Sequence, residues 1–253
     1  MPDNKRILTV DIGNTAMKVS VYEGETLLTS MAGKEVTPAA VMSYLGDCDI
    51  RGVACCRVGD DTQDITGLVR RMTDVPFLEL GPDTPVPVDV DYTRATLGND
   101  RLAAVVGVAS VKECVLLADV GTALTLDLAR GLRYAGGNIS PGLRLRFESL
   151  NRFTALLPLV DADGPTHDFG HNTKDAIRSG VVRGLAYEIA GTLDRVRIYE
   201  PDARLVVTGG SAGIISKQLT VLGVRHEVDR QAVGRGLVRI FNYVNEDYND
   251  SNE

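Results

Sequence analysis

Two aspartates, Asp11 and Asp119, each follow an apolar run and precede a turn of small residues. Asp11 is followed by Ile12, Gly13, Asn14 and Thr15, and Asp119 by Val120, Gly121 and Thr122. Binding phosphate takes backbone N–H groups converging from a turn, and glycine permits close approach because no Cβ intervenes. A carboxylate beside a phosphate is repulsive unless a cation lies between them. Asp11 and Asp119 therefore read as direct or water-mediated holders of Mg2+ or a monovalent ion. An aspartate after a strand can also simply form a turn, but the pattern occurs twice, 108 residues apart. A third small turn, Thr208–Gly210, lies between an apolar run and a predicted helix and suits close approach of a flat base or ribose. Neither GxxxxGK[ST] nor GxGxxG occurs at these turns, which removes the P-loop and dinucleotide folds.

These turns need strands to carry them. Ile7–Glu23 reads as strand, turn and strand, with "ETLLTSM" as a third. "TPAAVMSYLG" is a predicted helix with Thr37 as N-cap and Pro38 at its first position. "GVACCRV" reads as a buried strand, "TQDITGLVRRMT" as a helix and "FLELG" as a strand. Gly81–Tyr92, with its prolines, reads as irregular or extended and as lining an edge or a cleft, and "NDRLAAVVGVASV" as a helix opening near Asp100 and Arg101. A helix dipole favours an acid at such a position.

The opening pattern then returns as three strands in "ECVLLADVGTALTLDLARGLRYAGGNI". Leu143, Phe147, Leu150, Phe153 and Leu157 predict one helical face, followed by a polar loop and a long helix from Thr173 to about Tyr199. A strand, the Thr208–Gly210 turn and a helix follow, then an amphipathic helix with Val233, Leu237, Ile240 and Val244, and a loose tail over Asn245–Glu253. The repeat predicts an α/β chain of two similar domains, 1–114 and 115–253.

The 253 residues are 44% apolar, and the net charge of −7 argues against nucleic acid as a partner. Cys48, Cys55, Cys56 and Cys114 form no CxxC pair, which suits a reducing compartment. The N-terminus "MPDNKR" does not read as a signal peptide, and no apolar run reaches membrane-spanning length. The expectation is a cytoplasmic protein with no membrane partner.

The order of "DIGNT" (11–15), "LGNDR" (97–101), "DVGTA" (119–123), "GGNISPG" (136–142), "LNRFTALLPLV" (150–160), "NTKDAIRSG" (172–180) and "TGG" (208–210) resembles the type III pantothenate kinases. These belong to the actin, Hsp70 and hexokinase superfamily. The resemblance implies two RNase H-like (actin-like ATPase) domains with a nucleotide cleft between them, and transfer of the ATP γ-phosphate to pantothenate, the first step towards coenzyme A.

It further implies that Asp100 is the base, that Asp11, Ile12, Gly13, Asn14, Thr15, Ala16, Met17, Lys18 and Thr122 contact ATP phosphates, and that Asp119 holds K+ or NH4+, with Mg2+ accompanying ATP. Gly98, Asn99, Asp100 and Arg101 would line the pantothenate site, with Tyr92 and with Thr173 from the partner of a homodimer. Two stretches depart from the family pattern. "YTRATLG" lacks a proline and is one residue shorter, and "CCRVGD" stands where small hydroxyl residues and a proline are usual. The alternatives are a kinase of the same superfamily acting on another small hydroxyl substrate, and a nucleotide-binding transcriptional accessory protein without turnover.

Overall fold

The computed structural model describes residues 6–33, 36–59, 61 and 63–250. The chain gathers into two compact units. One comprises the chain up to Ala109, Leu132–Tyr134 and the chain from Gln231 onward; the other comprises Ser110–Gly131 and Ala135–Arg230.

In the first unit, β1 (Arg6–Ile12), β2 (Met17–Glu23), β3 (Thr26–Ala32), β4 (Ile50–Arg57) and β5 (Phe77–Glu79) form a sheet in the order β3-β2-β1-β4-β5. The first three strands are an antiparallel meander, and β4 and β5 add in parallel. Parallel pairing needs crossovers, supplied by α1 (Pro38–Asp47) and α2 (Ile65–Met72). Thr37 caps α1 as expected, its hydroxyl accepting from the Ala40 N–H at 3.2 Å.

The strand period of two divides β1. Leu8, Val10 and Ile12 enter a core with Val19, Val53, Ile65 and Val69, which leaves Ile7, Thr9 and Asp11 on the other face. That other side of the sheet meets α7 (Ala232–Asp250), and α3 (Asn99–Val108) packs against both α7 and β4.

The two helices touch at backbone distance. A Cβ on Gly107 would lie 1.9 Å from the Ala232 carbonyl oxygen, and one on Gly236 would lie 1.7 Å from that of Ala103. Arg235 Nε donates to the Gly107 carbonyl at 2.8 Å, and Arg239 donates to the carbonyls of Val106 and Ala109, satisfying groups that the end of α3 leaves open. This return of α7 to α3 is why the division differs from a single boundary after residue 114. It also makes most of the expected loose tail helical; residues 251–253, like 1–5, lie outside the described residues.

The second unit repeats the plan. β7 (Cys114–Val120), β8 (Ala123–Arg130) and β9 (Arg133–Pro141) follow one another in the sheet, and β10 (Arg204–Thr208) adds parallel to β7 as β4 does to β1. A short β11 (Glu227–Val228) lies beyond β10. α4 (Leu143–Arg152), α5 (Thr173–Arg197) and α6 (Ala212–Val221) pack on this sheet around Leu116, Val120, Phe147, Leu185, Ile189, Leu205 and Ile215.

One local expectation changes, and two short strands are added. α4 stops at Arg152, so Phe153 and Leu157 lie beyond it and Phe153 is 79% exposed. The segment Gly81–Tyr92 contains β6 (Asp89–Val90), which pairs in parallel with Arg133 and Tyr134. Neither β6 nor β11 was expected, because two residues carry no alternating pattern.

Candidate active site

In the first unit, strand register surrounds Asp11 with chemistry. It lies opposite Lys18 in the β1–β2 ladder and opposite Cys56 in the β1–β4 ladder. The Cys56 thiol donates to Asp11 Oδ1 at 3.5 Å. Burial, and then the charge of Asp100, push the Asp11 carboxyl up to about 6, while the Cys56 hydrogen bond and Lys18 oppose the rise. Burial likewise drives the Cys56 thiol well above its ordinary range, so it serves as a neutral donor and not as a nucleophile.

The Lys18 ammonium donates to Gln231 Oε1 at 2.8 Å, and the Tyr22 hydroxyl donates to the same oxygen at 3.0 Å. Asp100 stands in the first turn of α3, where its Oδ1 accepts from the Arg101 N–H at 2.8 Å. The fold thus brings Asp100, from the distant start of α3, within electrostatic reach of Asp11 and its hairpin neighbour Lys18.

The turn after Asp11 is braced by the residues that follow β4. The Ile12 carbonyl accepts from the Val58 and Gly59 N–H groups at 3.0 and 3.1 Å, and Gly13 N–H donates to the Ala16 carbonyl. A Cβ on Gly59 would lie 2.4 Å from the Gly13 carbonyl oxygen, so only glycine lets these loops touch. Ile12, Gly13, Asn14, Thr15, Ala16 and Met17 line a cavity of about 550 Å3 together with Gly33, Val58, Gly59 and Gln63.

Beside Asp100 lies an aromatic and guanidinium cluster. Arg101 is only 6% exposed and donates through Nη2 to the Tyr134 hydroxyl at 3.0 Å. Its guanidinium carbon sits 5.4 Å from the ring centre of Tyr92, whose ring meets that of Tyr134 edge-on at 5.9 Å. The Asp91 N–H donates to the Tyr134 carbonyl at 2.9 Å, so the β6 pairing fixes the backbone immediately before Tyr92. Gly98 and Asn99 open α3 at the same place.

In the second unit three glycine-containing turns converge. The Gly142 N–H, at the start of α4, donates to the Thr122 carbonyl at 3.1 Å, and the Ser211 N–H, at the start of α6, donates to the Val120 carbonyl at 3.0 Å. Gly209 has φ +91°, and a Cβ there would lie 2.3 Å from Asp119 Oδ1. Asp119 is opposite Thr125 in the β7–β8 ladder and opposite Thr208 in the β10–β7 ladder. The Thr125 hydroxyl is buried without a hydrogen-bond partner.

Two helix N-termini beside Thr122 and Val120 make this region favourable for anions. A largely apolar recess of about 470 Å3 opens on the first turns of the same helices, lined by Leu143, Phe147, Leu159, Val160, Ser211 and Ile214 among others. Thr173 is exposed at the first position of α5, behind the Asn172 cap that accepts from the Asp175 N–H.

The unanticipated members of the site are Cys56, Gly59, Gln231, Tyr134 and Thr125. The adjacent buried cysteines were visible in the sequence, but the register that sets Cys56 against Asp11 was not. Tyr134 falls within a predicted strand, and nothing local in the sequence sets it apart.

Residues 7–195 match the family model described as type III pantothenate kinase. A type III pantothenate kinase of Bacteroides fragilis is 35% identical over 94% of this chain and 98% of its own length. The enzymes of that name from Porphyromonas gingivalis and Flavobacterium johnsoniae are 36% and 37% identical, over 83% and 84% of this chain and 88% and 89% of their own.

Among solved structures, a Campylobacter jejuni protein described as a conserved Baf family transcriptional activator superposes with a TM-score of 0.62 at 20% identity, over 96% of this chain and 99% of its own. Component A of the Acidaminococcus fermentans (R)-2-hydroxyglutaryl-CoA dehydratase gives 0.54 at 14% identity, over 96% and 98%. These likenesses concern the fold, which is the two-sheet actin-like one.

Proposed function

We infer the reaction from the family: the chain belongs to the type III pantothenate kinases, and it phosphorylates pantothenate with ATP at the entry to coenzyme A formation. As an ATP-dependent kinase it works with a divalent metal on the nucleotide. The residue roles are our own reading, and the grouping of Asp11, Lys18 and Asp100 in one unit carries it.

Asp100 accepts the proton of the pantothenate hydroxyl as the new P–O bond forms. Arg101 and Tyr92 hold the substrate, with Gly98 and Asn99 shaping the start of α3. The turn from Asp11 through Ile12, Gly13, Asn14, Thr15, Ala16 and Met17 receives phosphate oxygens, and Lys18 adds a polar contact; the same class of contact is assigned to Thr122. Asp11 would hold Mg2+, whose charge relieves the repulsion between its carboxylate and phosphate. The apolar recess at the start of α4 and α6 supports seating a flat adenine ring.

For K+ or NH4+ the donor set fits. The Asp119 carboxylate and the unpartnered Thr125 hydroxyl are ladder neighbours, and hard oxygen donors of this kind suit such an ion. There it would supply positive charge to offset Asp119 near phosphate.

A homodimer is the assembly we propose, with Thr173 of the partner subunit completing the pantothenate site. Supporting it, a Cβ on Gly180 or Gly184 would meet nothing within 4 Å. That leaves Gly180 and Gly184 open to a second copy. Phe153, Leu156 and Phe169 are 79%, 91% and 84% exposed, and apolar side chains of this size left in water point to a partner. None of the described helices is long and apolar enough to cross a membrane, and a cytoplasmic location is proposed.

The deciding measurement is coupled turnover of ATP with and without pantothenate, in K+, NH4+ or Na+. ADP release that depends on pantothenate and is raised by K+ or NH4+ is expected; release unaffected by pantothenate would overturn the reading. Gly59→Ala tests the phosphate turn. Pushing on the Gly13 carbonyl, it should cut kcat/KM for ATP by about tenfold, since small misplacements of reacting groups carry large costs.

A further inference from the structure

Arg101 is a flexible side chain asked to meet a substrate in one geometry, and something must hold it. Its guanidinium contacts two aromatic residues carried by paired parallel strands: Tyr92, just after β6, and Tyr134, at the second position of β9. Tyr134 is completely buried. Its backbone is fixed by pairing with β6, its ring by the edge-on contact with Tyr92, and its hydroxyl accepts from Arg101 Nη2 at 3.0 Å. A tyrosine with both backbone and ring immobilised presents its oxygen at a set point, and a guanidinium bound to that oxygen loses rotational freedom before substrate arrives.

We propose that Tyr134 is a positioning residue for pantothenate binding, holding Arg101 and the Tyr92 ring in the arrangement that receives the substrate. The inference rests on the reading of Arg101 as a substrate ligand. It gives the two-residue strand β6 a function: pairing with Arg133 and Tyr134 ties Tyr92 into the same cluster despite the shortened segment leading to Gly98.

The test is a set of three variants, Tyr134→Phe, Arg101→Lys and the double variant, each assayed for KM of both substrates, kcat and thermal midpoint. Tyr134→Phe keeps the ring contact and removes the acceptor. It should raise KM for pantothenate about tenfold, leave KM for ATP and kcat within about twofold, and add little to Arg101→Lys in the double variant.

A Tyr134→Phe enzyme with wild-type KM for pantothenate, or one in which both KM values and the thermal midpoint move together, would overturn the proposal. So would strict additivity with Arg101→Lys. If Arg101→Lys itself leaves KM for pantothenate unchanged, it is the substrate role of Arg101 that fails. Replacing Tyr134 with 4-aminophenylalanine, close in shape but a poor acceptor, gives the same reading should the phenylalanine variant fold badly; an unchanged KM for pantothenate there would also overturn the proposal.

Discussion

Asp100→Asn lowers kcat by roughly 10²–10⁴-fold, the contribution of a positioned general base. KM for ATP and for pantothenate stay within a few-fold of wild type, because asparagine has the same outline and its carbonyl oxygen still accepts from the Arg101 N–H that Asp100 now holds at 2.8 Å. In a loose phosphoryl transfer the hydroxyl proton leaves late, so a weak base suffices if it is already in place. The helix N-terminus keeps the carboxylate there.

The variant also relaxes a neighbour: Asp100 is one of the two causes raising the Asp11 carboxyl, so Asp11 should titrate below about 6 once that charge is removed. Single-turnover measurements with saturating ATP and pantothenate separate chemistry from product release. Unchanged kcat in Asp100→Asn would end the assignment of the base.

How much of this could be seen in the chain depends on the range of the interaction. The strand–acid–turn units at Asp11 and Asp119, the Thr37 cap and the long α5 are set by neighbours a few residues away, and the sequence pattern carries them. The role of α7 is set by contact with a helix more than a hundred residues earlier, through glycines whose spacing resembles that of any helix. Cys56 faces Asp11 only because β4 pairs in parallel with β1 in one particular register, and a shift of one residue would turn the thiol to the opposite face. Tyr134, on β9, is tied to Tyr92 by pairing with the two-residue β6, too short to show alternation. The resemblance to a family supplied roles for Asp100, Arg101 and Tyr92, but not for the residues that brace them.

Asp11 stores free energy that the apo protein would be better without. Its carboxyl rises from 3.8 to about 6, chiefly because the charged form is buried. The folded chain therefore binds this proton more tightly than the unfolded chain does. The stability this group contributes is full below about pH 4 and is lost as pH rises through 6, a difference on the order of 3 kcal/mol.

Asp11→Asn removes the charge and keeps the shape. The apo variant should melt several degrees above wild type at pH 7.5, with the gap closing towards pH 4. It should also lose at least roughly 10²-fold in kcat/KM, because the carboxylate meant to face the metal-bound phosphates is gone. Mg2+ and ATP together should narrow the thermal gap, by stabilising wild type more than the variant. A variant less stable than wild type at pH 7.5, or a gap independent of pH, would mean that the buried carboxylate carries no such cost. The expected result instead makes Asp11 a residue kept for the cation it awaits, at the expense of the fold that holds it.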